Sequence, residues 1–108
     1  MSSPPGFSLH PGAAQDITEI WEYIAADNPS AARRLREEIL EALHRLVAYP
    51  QQGHRRPDLT SKPIRFHAVR TYLIAYLPED KPLSILAVIH GRRSPRIIAA
   101  TLRSRETP

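Results

Sequence analysis

From Ala13 the apolar positions Ile17, Ile20, Trp21 and Ile24 follow at i+4, i+7, i+8 and i+11, one stripe along a helix that starts near Pro11. Asp16, Glu19 and Glu22 fall off that stripe and are expected to face water. The run Asp27–Asn28–Pro29–Ser30 then stops one helix and starts another. A residue before proline is pushed out of the helical region, Asn28 can cap, and Pro29 suits the first helical position. The second helix is expected from Pro29 to Ala48, with Ala32, Leu35, Ile39, Ala42, Leu43 and Leu46 on its apolar side. So short a link predicts an antiparallel helical hairpin. Each stripe needs a further surface to cover it.

That surface follows in the chain. After a polar loop, Gln51–Lys62, come three runs with strand character: Ile64–Val69, Tyr72–Leu77 and Leu83–His90. Arg70–Thr71 and Pro78–Pro82 are short enough to be hairpin links. The last run is apolar on both faces and reads as a central strand. Phe7–His10 is long enough for a short first strand, and Ser94–Pro95 can open a final helix to about Leu102. The expected fold class is α+β: an N-terminal strand and a helical hairpin on one face of a mostly antiparallel four-stranded sheet, with a short C-terminal helix. Residues 7–102 form a single domain, preceded by a disordered lead (1–6) and followed by a tail (103–108). With helices on one face, the other face is expected to be polar or covered by a ligand or partner.

Charge sharpens this picture. Residues 1–50 hold four basic against seven acidic side chains, a net of −3, whereas residues 51–108 hold eleven against four, a net of +7. Lys62 and Lys81 are the only lysines. Arginine's planar fork grips phosphate or carboxylate through two parallel bonds, so the second half reads as a surface for a polyanion or an acidic partner.

Composition removes several chemistries. The chain has no cysteine, hence no disulfide, thiolate metal site or cysteine nucleophile. His10, His44, His54, His67 and His90 are scattered rather than set at metal-ligand spacing, and the four glycines are isolated, so neither a metal nor a nucleotide cofactor is expected. No apolar run approaches the ~20 residues of a membrane span, and the start lacks the pattern of a signal peptide; a cytoplasmic protein with no membrane partner is expected.

Several strings, in order, resemble the RelE/ParE superfamily of toxins, and its ParE-like branch most. They are Leu9–Ile24 with its Ile20–Trp21–Glu22–Tyr23–Ile24 core, Asn28–Pro29 with Ala31–Ala32, the exit Leu46, Tyr49–Pro50 and Gly53, then Arg65, Arg70 with Tyr72–Tyr76, and Val88–Arg93. The resemblance spans about residues 8–98. It implies the toxin of a type II toxin–antitoxin pair, held in a hetero-oligomeric complex by a cognate antitoxin whose tail wraps it. The ParE-like branch poisons DNA gyrase by binding, and the RelE-like branch cuts messenger RNA on the ribosome. A binding surface of Arg65, Arg70, Tyr72, Tyr76, Arg92 and Arg93 is expected, with Tyr23 lining a groove for an antitoxin helix. No catalytic residue is expected in the ParE-like reading. A metal-free ribonuclease would need a base, an acid and cations for the phosphorane. Arg65, His67, Tyr72, His90 and Arg92 are its candidates, although no tyrosine follows Tyr76. A non-toxic module that only binds antitoxin or regulates its own operon is the further alternative.

Overall fold

The computed structural model describes residues 6–106. Its elements are β1 (Phe7–Leu9), α1 (Pro11–Ala25), α2 (Pro29–Ala48), β2 (His54–Arg55), β3 (Arg65–Val69), β4 (Tyr72–Leu77), β5 (Leu83–His90) and α3 (Pro95–Glu106). The strands form one sheet in the order β1-β5-β4-β3-β2, with β1 parallel to β5 and the other pairs antiparallel. The α+β class holds, with one strand more than the four marked by the apolar pattern. The extra strand, β2, lies inside the expected polar loop. Both of its residues are exposed, so it carries no alternation to read. Apart from Gly6, whose carbonyl accepts from the Leu83 N–H, the expected N-terminal lead lies outside the described residues.

The hairpin forms as its sequence dictates. The Asn28 side chain accepts from the Ala31 N–H at 3.0 Å, with Pro29 in the first turn. The buried residues of α2 are the six of its stripe. Helix α1 is different: only Ala13 is fully buried, while Ile17, Ile20, Trp21 and Ile24 are half-covered. Full burial of one aliphatic side chain stabilises by roughly 1.5–3 kcal/mol. Apolar burial therefore anchors α2 far more firmly than α1. Trp21, expected in the core, instead lines a shallow cleft with Ile17, Thr18 and Arg36.

The sheet has a core on each face. Against the hairpin pack Val69, Ile74, Tyr76, Leu83, Ile85 and Val88. On the opposite face Phe66, Ala75, Leu86, Ala87 and Ile89 pack with Ile98 and Leu102 of α3 and with Leu59 and Ile64 of the loop. The expectation of a second face that is polar or covered by a ligand or partner is thus corrected, because α3 and the loop cover it with apolar side chains from within the chain. A register shift helps. Ala75 pairs with Ala87 and Tyr76 with Ile85, so Leu86 is an extra residue in β5. This bulge turns both Leu86 and Ala87 toward α3.

Helix α3 runs past Leu102 to Glu106, and its last turn brings Arg105 onto the Asp16 side chain of α1 in a bidentate pair at 3.0 and 3.1 Å. Arg105 also donates to the Leu86 carbonyl at 2.8 Å, and Asp16 accepts from the Val88 N–H at 3.0 Å. Only 15% and 18% of these side chains is exposed, so Asp16 does not face water as expected. The guanidinium passes where a Cβ on Gly12 would stand, so a side chain there would displace Arg105 from this pair. The loop before β3 is tied down in a similar way. The Tyr76 hydroxyl donates to the Pro50 carbonyl at 2.7 Å and accepts from the Gly53 N–H at 2.9 Å, while Arg65 donates to the Gly53 carbonyl at 2.6 Å.

Two substitutions test these ties. Arg105→Gln leaves a mostly enclosed carboxylate without its cation and should lower unfolding free energy in urea by about 2 kcal/mol; Asp16→Asn in the same background should recover part of that loss. Tyr76→Phe keeps the packing but leaves Gly53 N–H without its acceptor, at a cost of about 1–3 kcal/mol in the same titration. A loss under about 0.5 kcal/mol would mean that the loop is held by other contacts.

Candidate partner-binding groove

Strand β1 stops at Leu9, opposite Ile85. Beyond that point β5 has no neighbouring strand on its outer side among the described residues, and α1 and α3 flank it from opposite faces of the sheet. The result is an open groove of about 650 Å³. Asp16, Glu19, Ile20 and Tyr23 form its α1 wall, and Arg93, Ile97, Thr101 and Arg105 its α3 wall. The floor is Val88, Ile89 and His90 with Tyr72 of β4. The Asp16–Arg105 pair closes the end near β1. Tyr23 is 81% exposed and Ile97 46%, so each wall offers an apolar surface that the fold does not use.

At the other end the chain turns at Gly91. Its N–H donates to the Thr71 carbonyl at 2.7 Å, and the His90 Nδ1 accepts from the Arg92 N–H at 3.1 Å. The His90 ring meets Tyr72 edge to face at 5.1 Å. Arg92, Arg93 and Arg96 stand exposed on this turn and the start of α3, and none is in an ion pair among the described residues. No acidic residue occurs from Lys81 to Arg105. The two walls therefore differ in sign, acidic along α1 and basic along α3.

Of the residues expected on a binding surface, Tyr23, Tyr72 and Arg93 meet in this groove, and Arg92 adjoins it. The others lie elsewhere. Tyr76 is fully buried, with both bonds of its hydroxyl spent on the loop, and burial pushes its phenol above the ordinary value. Arg65 is committed to loop carbonyls. Arg70, at the positive φ of 54° in a two-residue turn, grips Glu38 bidentately at 2.7 and 2.8 Å. The ribonuclease candidates are only partly brought together, with Arg92 next to the Tyr72–His90 contact. Tyr72 and His90 touch, but Arg65 and His67 are on β3, two strands from β5 and so roughly 10 Å away.

Sequence reasoning missed Asp16, Glu19, Ile20, Ile97, Thr101 and Arg105 as site residues. A signal for Arg105 existed: Ile98, Leu102 and Arg105 continue one helical face at i, i+4 and i+7. Among the described residues no group of three or more histidine, aspartate or glutamate side chains could hold a metal ion. No described helix is long and apolar enough to cross a membrane.

His67 shares the face of its cross-strand partner Ile74, toward the hairpin. Burial pulls its imidazole below the ordinary 6.5, and the positive charges of Arg45 and His54 act the same way. The unfolded chain therefore takes up this proton at higher pH than the folded one. The resulting stability is complete above 6.5 and is lost as pH falls below it. Melting temperature should drop between about pH 7.5 and about pH 5.5, and His67→Asn should reduce the drop. An equal drop in the variant would assign the effect to other groups.

Residues 7–95 match the family described as the ParE toxin of the type II toxin–antitoxin system parDE. Among solved structures, a chain of the chromosomal ParDE system from P. aeruginosa superposes with a TM-score of 0.64 at 20% identity, over 78% of this chain and 92% of that one. No curated protein matches. The family match covers most of the sequence, and the structural likeness independently bears out the fold: the chain belongs to the ParE toxin family of type II toxin–antitoxin systems.

Proposed function

We propose that this toxin acts by binding DNA gyrase rather than by cutting RNA, and that a cognate antitoxin neutralises it by occupying the groove between α1 and α3. The observation that carries the reading is the kind of surface the groove presents. It is open, its walls carry exposed apolar residues and opposite charges, and of the ribonuclease candidates only Tyr72 and His90 line it with Arg92 beside them, while Arg65 and His67 are on β3. Such a surface suits recognition of another macromolecule, whose apolar groups seek Tyr23, Ile20 and Ile97. The half-covered α1 stripe at Ile17 and Trp21 extends this apolar area around the helix. Arg92 and Arg93 at the open end supply unpaired cations for an acidic target surface or for DNA held by gyrase.

Expression in a bacterial host without the antitoxin should arrest growth, with DNA-damage induction and gyrase-linked breaks. Arg92→Ala with Arg93→Ala should relieve the arrest at an unchanged melting temperature, since neither side chain has an ion-pair partner among the described residues. Arrest with cuts in ribosome-bound messenger RNA and intact DNA would replace this reading with a ribonuclease. Harmless expression together with tight antitoxin binding would leave a binding module only.

A further inference from the structure

We propose that the α1–α3 groove receives an extended segment of the partner polypeptide as an additional strand on β5, with one residue opposite Ile89. This rests on the antitoxin reading above and adds the conformation and register of what binds. Beyond Leu9 the edge of β5 is open to a further strand. The Val88 N–H points outward, since it donates to Asp16 across the free side. Antiparallel pairing of Ile74 with Val88 and of Tyr72 with His90 gives those two β5 residues the same orientation. The Val88 carbonyl and the His90 N–H therefore also face the groove. A parallel strand, or an antiparallel one at a non-hydrogen-bonded pair, bonds to its neighbour through the carbonyl before, and the N–H after, the residue it lies across. Val88 and His90 supply that acceptor and donor on either side of Ile89. A hydrogen-bonded antiparallel pair centred on Val88 would need the Val88 N–H, which Asp16 already holds, so the free groups set the register at Ile89 for a strand of either direction.

The walls fit the same occupant. They stand on opposite faces of the sheet, which is what a strand requires, because its side chains alternate between faces. The residue opposite Ile89 would point with it toward α3, at Ile97 and Thr101, and should be aliphatic. Its two neighbours would point toward α1, at Ile20, Tyr23 and Glu19. The acidic α1 wall and the cation of Arg93 ask for a basic group on one side of the segment and a carboxylate on the other. β1 already pairs with β5, so the added strand would continue the edge that β1 leaves off at Leu9.

The test uses the whole chain and the protein encoded by the neighbouring reading frame, purified as a complex. Amide hydrogen exchange is read by NMR at His90, with affinity from calorimetry. Complex formation should slow exchange of the His90 N–H by about 100-fold or more. Ile97→Asp, at a site exposed in the free chain, should weaken binding by about tenfold with an unchanged melting profile. Tight binding that leaves the His90 N–H exchanging as in the free chain, as a helix in the groove would, overturns this proposal and leaves the antitoxin reading standing. Failure of that protein to bind at all removes both. His90 protection that appears in the chain alone as its concentration rises would assign the edge to a second copy and overturn the proposal too.

Discussion

The ion pair between Asp16 and Arg105 is the contact on which the site depends. It joins the first helix to the last across the edge of β5, and each partner also satisfies a backbone group of that strand. Without β1 beyond Leu9, the Leu86 carbonyl and the Val88 N–H would be bare polar groups at a mostly enclosed edge. The pair supplies one partner to each and fixes where the groove begins. Because α1 has a single fully buried residue, this polar tie does for α1 what apolar burial does for α2.

The bulge at Leu86 belongs to the same arrangement. The extra residue turns two successive side chains toward α3 and exposes the Leu86 carbonyl to Arg105. The second core face then holds α3 through Ile98 and Leu102. Helices on both faces of the last free stretch of strand leave a slot with an acidic wall and a basic wall, open at the Arg92–Arg93 turn. Polar ties of this kind recur at the other end of the sheet, where Tyr76 and Arg65 hold the loop that carries β2.

Much of this was legible in the residues. The α2 stripe names its buried face residue for residue, and Asn28–Pro29 marks the helix boundary through a cap that forms. The family resemblance is also present in strings spread along the chain. What escaped has a common physical cause. β2 is two exposed residues held by side chains distant in sequence, so no local periodicity announces it. Asp16 looks like an ordinary solvated carboxylate on a helix until a cation 89 positions away closes over it. Tyr76 and Arg65 carry the residue types of a binding surface, yet their polar atoms serve the loop. Which arginines stay free is decided by tertiary pairing: Arg70 meets Glu38 and Arg105 meets Asp16, while Arg92 and Arg93 meet no carboxylate among the described residues.

On the proposed function, the groove and its arginine turn are a surface for recognition rather than a reaction centre. The direct measurement is supercoiling and plasmid cleavage by purified gyrase in the presence of the purified chain. Accumulation of enzyme-linked cleaved DNA, suppressed when the antitoxin is added, is the expected result. Gyrase working undisturbed while the same preparation cuts messenger RNA on ribosomes would contradict it.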